Sequence, residues 1–182
     1  GGFYLDILKD RLYTSAASSA ARRSAQNALW HITQTLVKLL APILSFTAEE
    51  VWQTITGDAN DSIMLHTWQA LPAPADEAAL LDKWNKIRLY RAEVTRALEE
   101  LRIAGKIGSS LQAEAILYAD GEKFELLTSL GDDLRFVLIT SQARVVRSGE
   151  DKIECLPLSD AKCERCWHVR EDVGVDPAHP EL

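Results

Sequence analysis

Two apolar stripes at helical spacing, each cut off by a proline or glycine, constrain the fold of this 182-residue chain more than any other feature. Between about Ser18 and Leu40, and just beyond, Leu29, Ile32, Leu36, Leu40 and Ile43 recur every three or four positions, and Trp30, Val37 and Leu44 add a second line. A stripe this wide predicts a helix buried between several neighbours, with Trp30, like Trp52 further on, in the core. Pro42 ends or kinks it, because proline lacks the amide proton and its ring clashes with the preceding turn. Thr47 and Glu50 then fit a capping box for a short helix anchored by Val51, Trp52 and Ile55 and closed by Gly57. Phe3 to Tyr13 reads as an earlier helix, with Tyr4, Ile7, Leu8 and Leu12 on one side. The longest stripe, Leu80, Trp84, Ile87, Val94, Leu98 and Leu101, predicts a helix from about Asp76 to Ala104 with a bundle seam. Arg91 falls inside that seam, about 20° from Leu80 on the helical wheel, so it should pair with a carboxylate or emerge where the seam meets a ligand.

Between these helices, residues 57–76 are loop material (Gly57, Asp58, Asn60, Asp61, Pro72, Pro74), with Ile63 to Trp68 expected to be extended. After Gly105 and Gly108 the period changes to short β-type runs, Ala113 to Tyr118, Phe136 to Thr140, Ala143 to Arg147 and Lys152 to Leu156, with a helical stretch from Gly121 to Leu130. The expectation is a small β-α-β-β-β unit, one sheet covered by a helix, behind a mainly α bundle. Gly1 and Gly2 read as a linker stub.

The net charge of −7 argues by itself against a nucleic-acid partner, but its distribution does not. Residues 107–182 hold 8 basic and 15 acidic groups, so residues 1–106 are neutral. Within that neutral part, residues 11–48 contain Arg11, Arg22, Arg23 and Lys38 and no acid, and residues 83–106 contain seven bases against three acids. Such stretches are either solvated helix faces or basic helices laid along a polyanion. Three cysteines, an odd number, argue against a disulfide framework. No apolar run approaches the length of a membrane span and no leader opens the chain, so an intracellular protein is expected.

The search for catalytic groups is negative. There is no glycine-rich phosphate loop, no nucleophile elbow and no helical histidine pair with a glutamate, and His31, His66, His168 and His179 are scattered. No catalysis is expected from this chain alone. One cluster carries chemistry, Cys163-Glu164-Arg165-Cys166-Trp167-His168. Two thiolates three apart on a turn can face one tetrahedral ion, and Arg165 and nearby amides favour the ionised form. Spacing alone admits either zinc or two idle thiols, because no second Cys-x-x-Cys follows. Cys155, His168 and His179 could complete a site, at irregular spacing.

"KDRLY" (Lys9 to Tyr13), "ARRSAQNALWHITQTLVKLLAPILSFTAEEVW" (Ala21 to Trp52), "GKIGSSLQAEAILYA" (Gly105 to Ala119) and "LRFVLITS" (Leu134 to Ser141) together resemble the C-terminal part of bacterial isoleucyl-tRNA synthetases. The "LAPILSFTAEEVW" stretch is shared with the valyl, leucyl and methionyl enzymes and marks their common anticodon-binding helical domain. The ending "KCERCWHVREDVGVDPAHPEL" resembles the zinc ribbon of the bacterial isoleucyl enzymes, in which a second Cys-x-x-Cys comes next.

The resemblance implies a fragment with three parts: a helical anticodon-binding domain over 1–108 lacking its entry helices, a small α/β junction domain over 109–159, and the first half of a zinc-binding module over 160–182. It implies zinc on Cys163 and Cys166 in the full-length protein, and ATP and Mg in an absent catalytic domain of an isoleucine-tRNA ligase. It also implies tRNA(Ile) and the remaining domains of the same chain as partners, with no membrane and no DNA, in the cytoplasm. The expected phosphate contacts are Arg11, Arg22, Arg23, Lys83, Lys86, Arg88 and Lys106. The competing readings are a helical scaffold or interaction module, and the same domain of a valyl or leucyl enzyme.

Overall fold

A computed structural model describes residues 2–71 and 73–182. Gly1 and Pro72, read above as part of a linker stub and as a loop residue, lie outside the described residues, whereas Gly2, the other half of the expected stub, is helical. Six helices, α1 (Gly2–Tyr13), α2 (Ala20–Leu40), α3 (Ser45–Thr56), α4 (Glu77–Ile103), α5 (Gly121–Thr128) and α6 (Asp133–Leu138), accompany three strands, β1 (Ala113–Ala119), β2 (Gln142–Arg147) and β3 (Lys152–Pro157). The chain is thus mainly helical with a small α/β part. It compacts into two units, one of residues up to Thr14 together with Asp76–Leu182, the other Ser15–Ala75.

In the Ser15–Ala75 unit, Ser19 caps α2 by accepting the Arg22 amide at 3.2 Å. Helix α3 starts at Ser45, and no side chain among the described residues caps it. Thr47 and Glu50 therefore lie inside α3, and the expected capping box does not form. Gly57 closes α3 at φ 71°, the left-handed conformation that glycine adopts without a Cβ clash. Val37, Ala41, Ala48, Trp52 and Ile63 form a small core. The Trp52 indole donates to Asp61 Oδ2 at 3.0 Å and packs against the His66 ring, 4.5 Å between centroids. Glu49 accepts from the Ser62 hydroxyl and the Ile63 amide, each at 3.0 Å. With Ser62 also capping Met64, this bends Ile63–Leu65 into one 3-10 turn rather than the extended run expected.

The apolar stripe of α2 is correctly periodic but not buried. Ile32, Leu36, Leu40 and Ile43 are 44, 50, 44 and 79% exposed, and Trp30, expected in the core beside Trp52, is 48% exposed. Periodicity identifies the apolar face of a helix without supplying what covers it.

Asp61 also bonds His66 Nε2 at 2.6 Å, and that bond, with the Trp52 indole, holds its carboxyl below the ordinary 3.8. Its stabilising effect is present above the ordinary carboxylate range and is lost as pH falls through the depressed folded value. Acidification below about pH 4 should loosen this unit. In Asp61→Asn the acid limb of a Trp52 fluorescence titration should flatten, and an unchanged acid limb would remove Asp61 as the responsible group.

In the other unit the strand order is β2-β1-β3, with β2 parallel and β3 antiparallel to β1. Helices α5 and α6 form the crossover that a parallel pair requires. Strand β1 is central and nearly wholly buried. Ala113, Ala115 and Leu117 pack with Val94 and Leu98 of α4 and with Leu127, Leu134 and Leu138 of the crossover helices. The later part of the α4 seam, Val94 and Leu98 with Leu101, thus lies against a sheet rather than inside a bundle. Spacings of three, four and seven fit either partner.

Phe136 to Thr140, expected as a strand, lies in and just after α6, so the unit runs β-α-α-β-β. Leu134, Val137 and Leu138 are buried at i, i+3 and i+4, and the short apolar run did not discriminate helix from strand. Arg91 in the α4 seam meets no carboxylate among the described residues. Its Nε donates to the Val137 carbonyl at 2.9 Å, satisfying an orphan acceptor near the end of α6, while its guanidinium lies over Phe3 at 5.2 Å.

Candidate nucleic-acid interface and metal-binding turn

The seven cations expected at phosphate sort by what holds them. Arg11 is paired with Asp133 and lies 5.9 Å over the Phe136 ring. Lys86 is paired with Glu122 at 2.5 Å and Asp82 at 2.9 Å, and these carboxylates raise its pKa further above the neutral range. Arg22 donates Nη1 to the Ser15 carbonyl at 3.0 Å, and Arg88 stacks over Phe3 at 5.6 Å. Arg23, Lys83 and Lys106 have no acidic partner among the described residues. Arg23 belongs to α2, Lys83 to the first half of α4, and Lys106 to the turn after it. Lys38, in the basic stretch of α2, lies 5.3 Å over the Trp52 ring.

In the acidic β-containing part, most bases are paired with neighbouring acids, among them Lys123, Arg144, Arg147, Lys152 and Arg170. A cavity of about 550 Å³ is lined by Arg135, Arg144 and Arg170 together with carboxylates. Two of those arginines are bonded to acids, Arg144 to Glu114 at 2.8 Å and Arg170 to Asp172 at 2.7 Å through two nitrogens.

The Cys163 to Cys166 segment is a tight turn closed from within. The Cys163 amide donates to the His168 carbonyl and the Trp167 amide to the Cys163 carbonyl, each at 2.8 Å. Lys162 and Val169 form an antiparallel bridge beneath the turn. Trp167 reverses the chain at φ 66°, a conformation costing a non-glycine residue roughly 1–2 kcal/mol, which those bonds offset.

Burial pushes the Cys163 thiol up. Bonds from the Cys166 and Arg165 amides and the Cys166 thiol outweigh it, so its net shift is downward. Cys166 is held up, first by burial and then by Cys163 beside it, against a bond from the His168 amide. One sulfur primed for the thiolate form beside a second fits half of a tetrahedral thiolate site. The other half is not supplied here. No group of three or more His, Cys, Asp or Glu side chains converges among the described residues, so Cys155, His168 and His179 do not complete it. Cys155 sits on β3 beside the core, where burial raises its thiol to about 11.

Two contacts around this turn were not legible in the sequence. His168 Nε2 bonds Asp10 Oδ2 at 2.8 Å across 158 positions, and the Val169 amide donates to Ser141 Oγ at 2.7 Å. Neither residue pair carries a local signal, because only the tertiary fold brings them together.

Residues 1–117 match the family described as the anticodon-binding domain of tRNA ligase. The chain belongs to this family. The same chain matches, over residues 161–182, the family described as a zinc finger found in FPG and IleRS. Among its relatives, the chain is 63% identical to an isoleucine–tRNA ligase of Dechloromonas aromatica and 60% identical to that of Thiobacillus denitrificans. It is 56% identical to that of Burkholderia vietnamiensis. In each case the match covers 100% of this chain but only 20% of the relative's length. Among the described residues, no helix is long and apolar enough to cross a membrane.

Proposed function

We propose that this chain is the tRNA-binding C-terminal part of an isoleucine–tRNA ligase. It would position tRNA(Ile) so that ATP-dependent aminoacylation proceeds in the remaining domains of the same protein, in the cytoplasm. The observation that carries this reading is the order of two matches in one chain, an anticodon-binding domain over 1–117 followed by a zinc finger over 161–182. The functional parts are read as 1–108, 109–159 and 160–182, which differ from the units defined by packing, in which α1 and α4 go with the sheet.

In this reading the polypeptide supplies binding energy and alignment and performs no bond-making step; ATP and Mg act elsewhere. Arg23, Lys83 and Lys106 are the leading phosphate contacts, since they are free of acids. Arg11, Arg22, Lys86 and Arg88 would contribute through charge while already held by other groups. Cys163 and Cys166 would hold a zinc ion together with ligands from elsewhere in the protein, and the ion would brace the turn.

Competition binding tests the assignment. A tRNA bearing the isoleucine anticodon should displace a labelled copy about tenfold better than valine or leucine tRNA, the discrimination expected if one base contact of about 1.4 kcal/mol is lost. Equal competition by all three would overturn the isoleucine assignment. No binding at low salt would favour a helical scaffold.

A further inference from the structure

The thiol-bearing turn is anchored by residues far from it in sequence, on two different walls. His168 is 2% exposed and its Nε2 meets Asp10 Oδ2 of α1 at 2.8 Å. With the carboxylate accepting, Nε2 donates, and buried Nδ1 has no partner among the described residues. The ring also stands edge-on to Phe136 of α6, 5.9 Å between centroids, so its orientation is set by packing as well as by Asp10. One residue on, the buried Val169 amide donates to Ser141 Oγ at 2.7 Å. The Ser141 hydroxyl in turn donates to the Leu111 carbonyl at 2.5 Å, next to the sheet. The two residues immediately after Trp167 are thus tied to α1 and to the edge of β2. Because the Cys163 amide bonds the His168 carbonyl, the first thiol is fixed through the same peptide. Groups beyond a metal's own ligands that orient those ligands strengthen binding, and a ligand that favours one arrangement stabilises the contacts defining it.

We propose that Asp10 and Ser141 are positioning residues for the Cys163–Cys166 thiol pair. They dock the turn on α1 and the sheet, so that a thiophilic divalent cation on the two sulfurs and the seating of α1 stabilise each other. The cation part rests on the zinc reading above; the docking part rests on the geometry alone. A turn docked by packing only would bind the cation without any effect on α1.

The probe is Cd²⁺ added to the intact chain. Thiolate-to-cadmium absorption reads sulfur occupancy, chelator competition reads affinity, and amide hydrogen exchange reads α1 and the turn separately. In the parent, Cd²⁺ should slow α1 exchange at least about fivefold, and Asp10→Ala should weaken Cd²⁺ binding by a similar factor, as reciprocal coupling requires. Asp10→Ala should also speed exchange at the Cys163 and Val169 amides without metal, and Ser141→Ala should do the same. Asp10→Asn, whose amide oxygen can accept the same Nε2 proton, should restore much of both effects. Protection of β1 confirms that each variant is folded, and if Asp10→Ala fails that check, Asp10→Asn and Ser141→Ala decide. Parent-like Cd²⁺ affinity and exchange in the folded variants would overturn the proposal while leaving the metal reading intact. Absence of thiolate absorption in the parent would overturn the coupling, while the metal reading, which takes further ligands from elsewhere in the protein, would stand, and the metal-free exchange would still show whether Asp10 docks the turn.

Discussion

Replacing Trp52 with alanine should unfold Ser15–Ala75 under conditions that leave Asp76–Leu182 folded. Trp52 is 4% exposed and is by far the largest member of a core of five buried residues. Its removal deletes the bond to Asp61, the packing on His66 and the ring beneath Lys38 at once. Truncating a buried aromatic costs roughly 3–5 kcal/mol, comparable to the whole stability of a small unit. Limited proteolysis and amide exchange read the two units separately. Trp30→Ala, at a position 48% exposed, should shift the same midpoint by no more than about 1 kcal/mol. A parent-like midpoint in Trp52→Ala would mean that the unit is held together elsewhere.

The triple change Arg23→Glu, Lys83→Glu and Lys106→Glu should weaken tRNA binding by about 10²–10³ near 100 mM salt. It should also lower the slope of log affinity against log salt by about 2–3, since each phosphate contact contributes about 0.7–0.9. These three have no acidic partner among the described residues, so reversing them breaks no internal pair. Arg11→Gln and Lys86→Gln should act differently. Arg11 is held by Asp133 and Lys86 by Glu122 and Asp82, so part of their charge is already spent within the protein. Their loss should lower affinity less and leave acids behind that repel phosphate. If the triple variant keeps the parental salt slope, phosphate is bound elsewhere. If Arg11→Gln and Lys86→Gln dominate instead, the paired cations are released on binding.

Much of this is written locally. The helices α1, α2 and α4 follow their apolar spacing to within a residue or two, and the Ser19 cap and the Gly57 terminator act at the positions their chemistry favours. The Cys163–Cys166 turn is local in its closure, because the backbone bonds that close it lie within residues 162–169. The misreadings have one source. The Phe136 to Thr140 run, the Ile63 to Trp68 segment and the supposed box at Thr47 are short, and at that length helix, strand and turn differ little in intrinsic preference. What decides them is an outside partner, the sheet beneath α6 or the Glu49 carboxylate beside Ile63.

The amino-acid order by itself determined the long helices, the neutral-then-acidic charge layout and the pair of thiols, since each depends on neighbours within a few positions. Only the tertiary structure decided which cations remain free, that the α4 seam meets a sheet, that the α2 stripe stays exposed, and that His168 rests on Asp10. Those outcomes depend on groups up to 158 positions apart, whose meeting is fixed by packing and by the need to satisfy buried polar atoms, neither of which leaves a periodic mark on the chain.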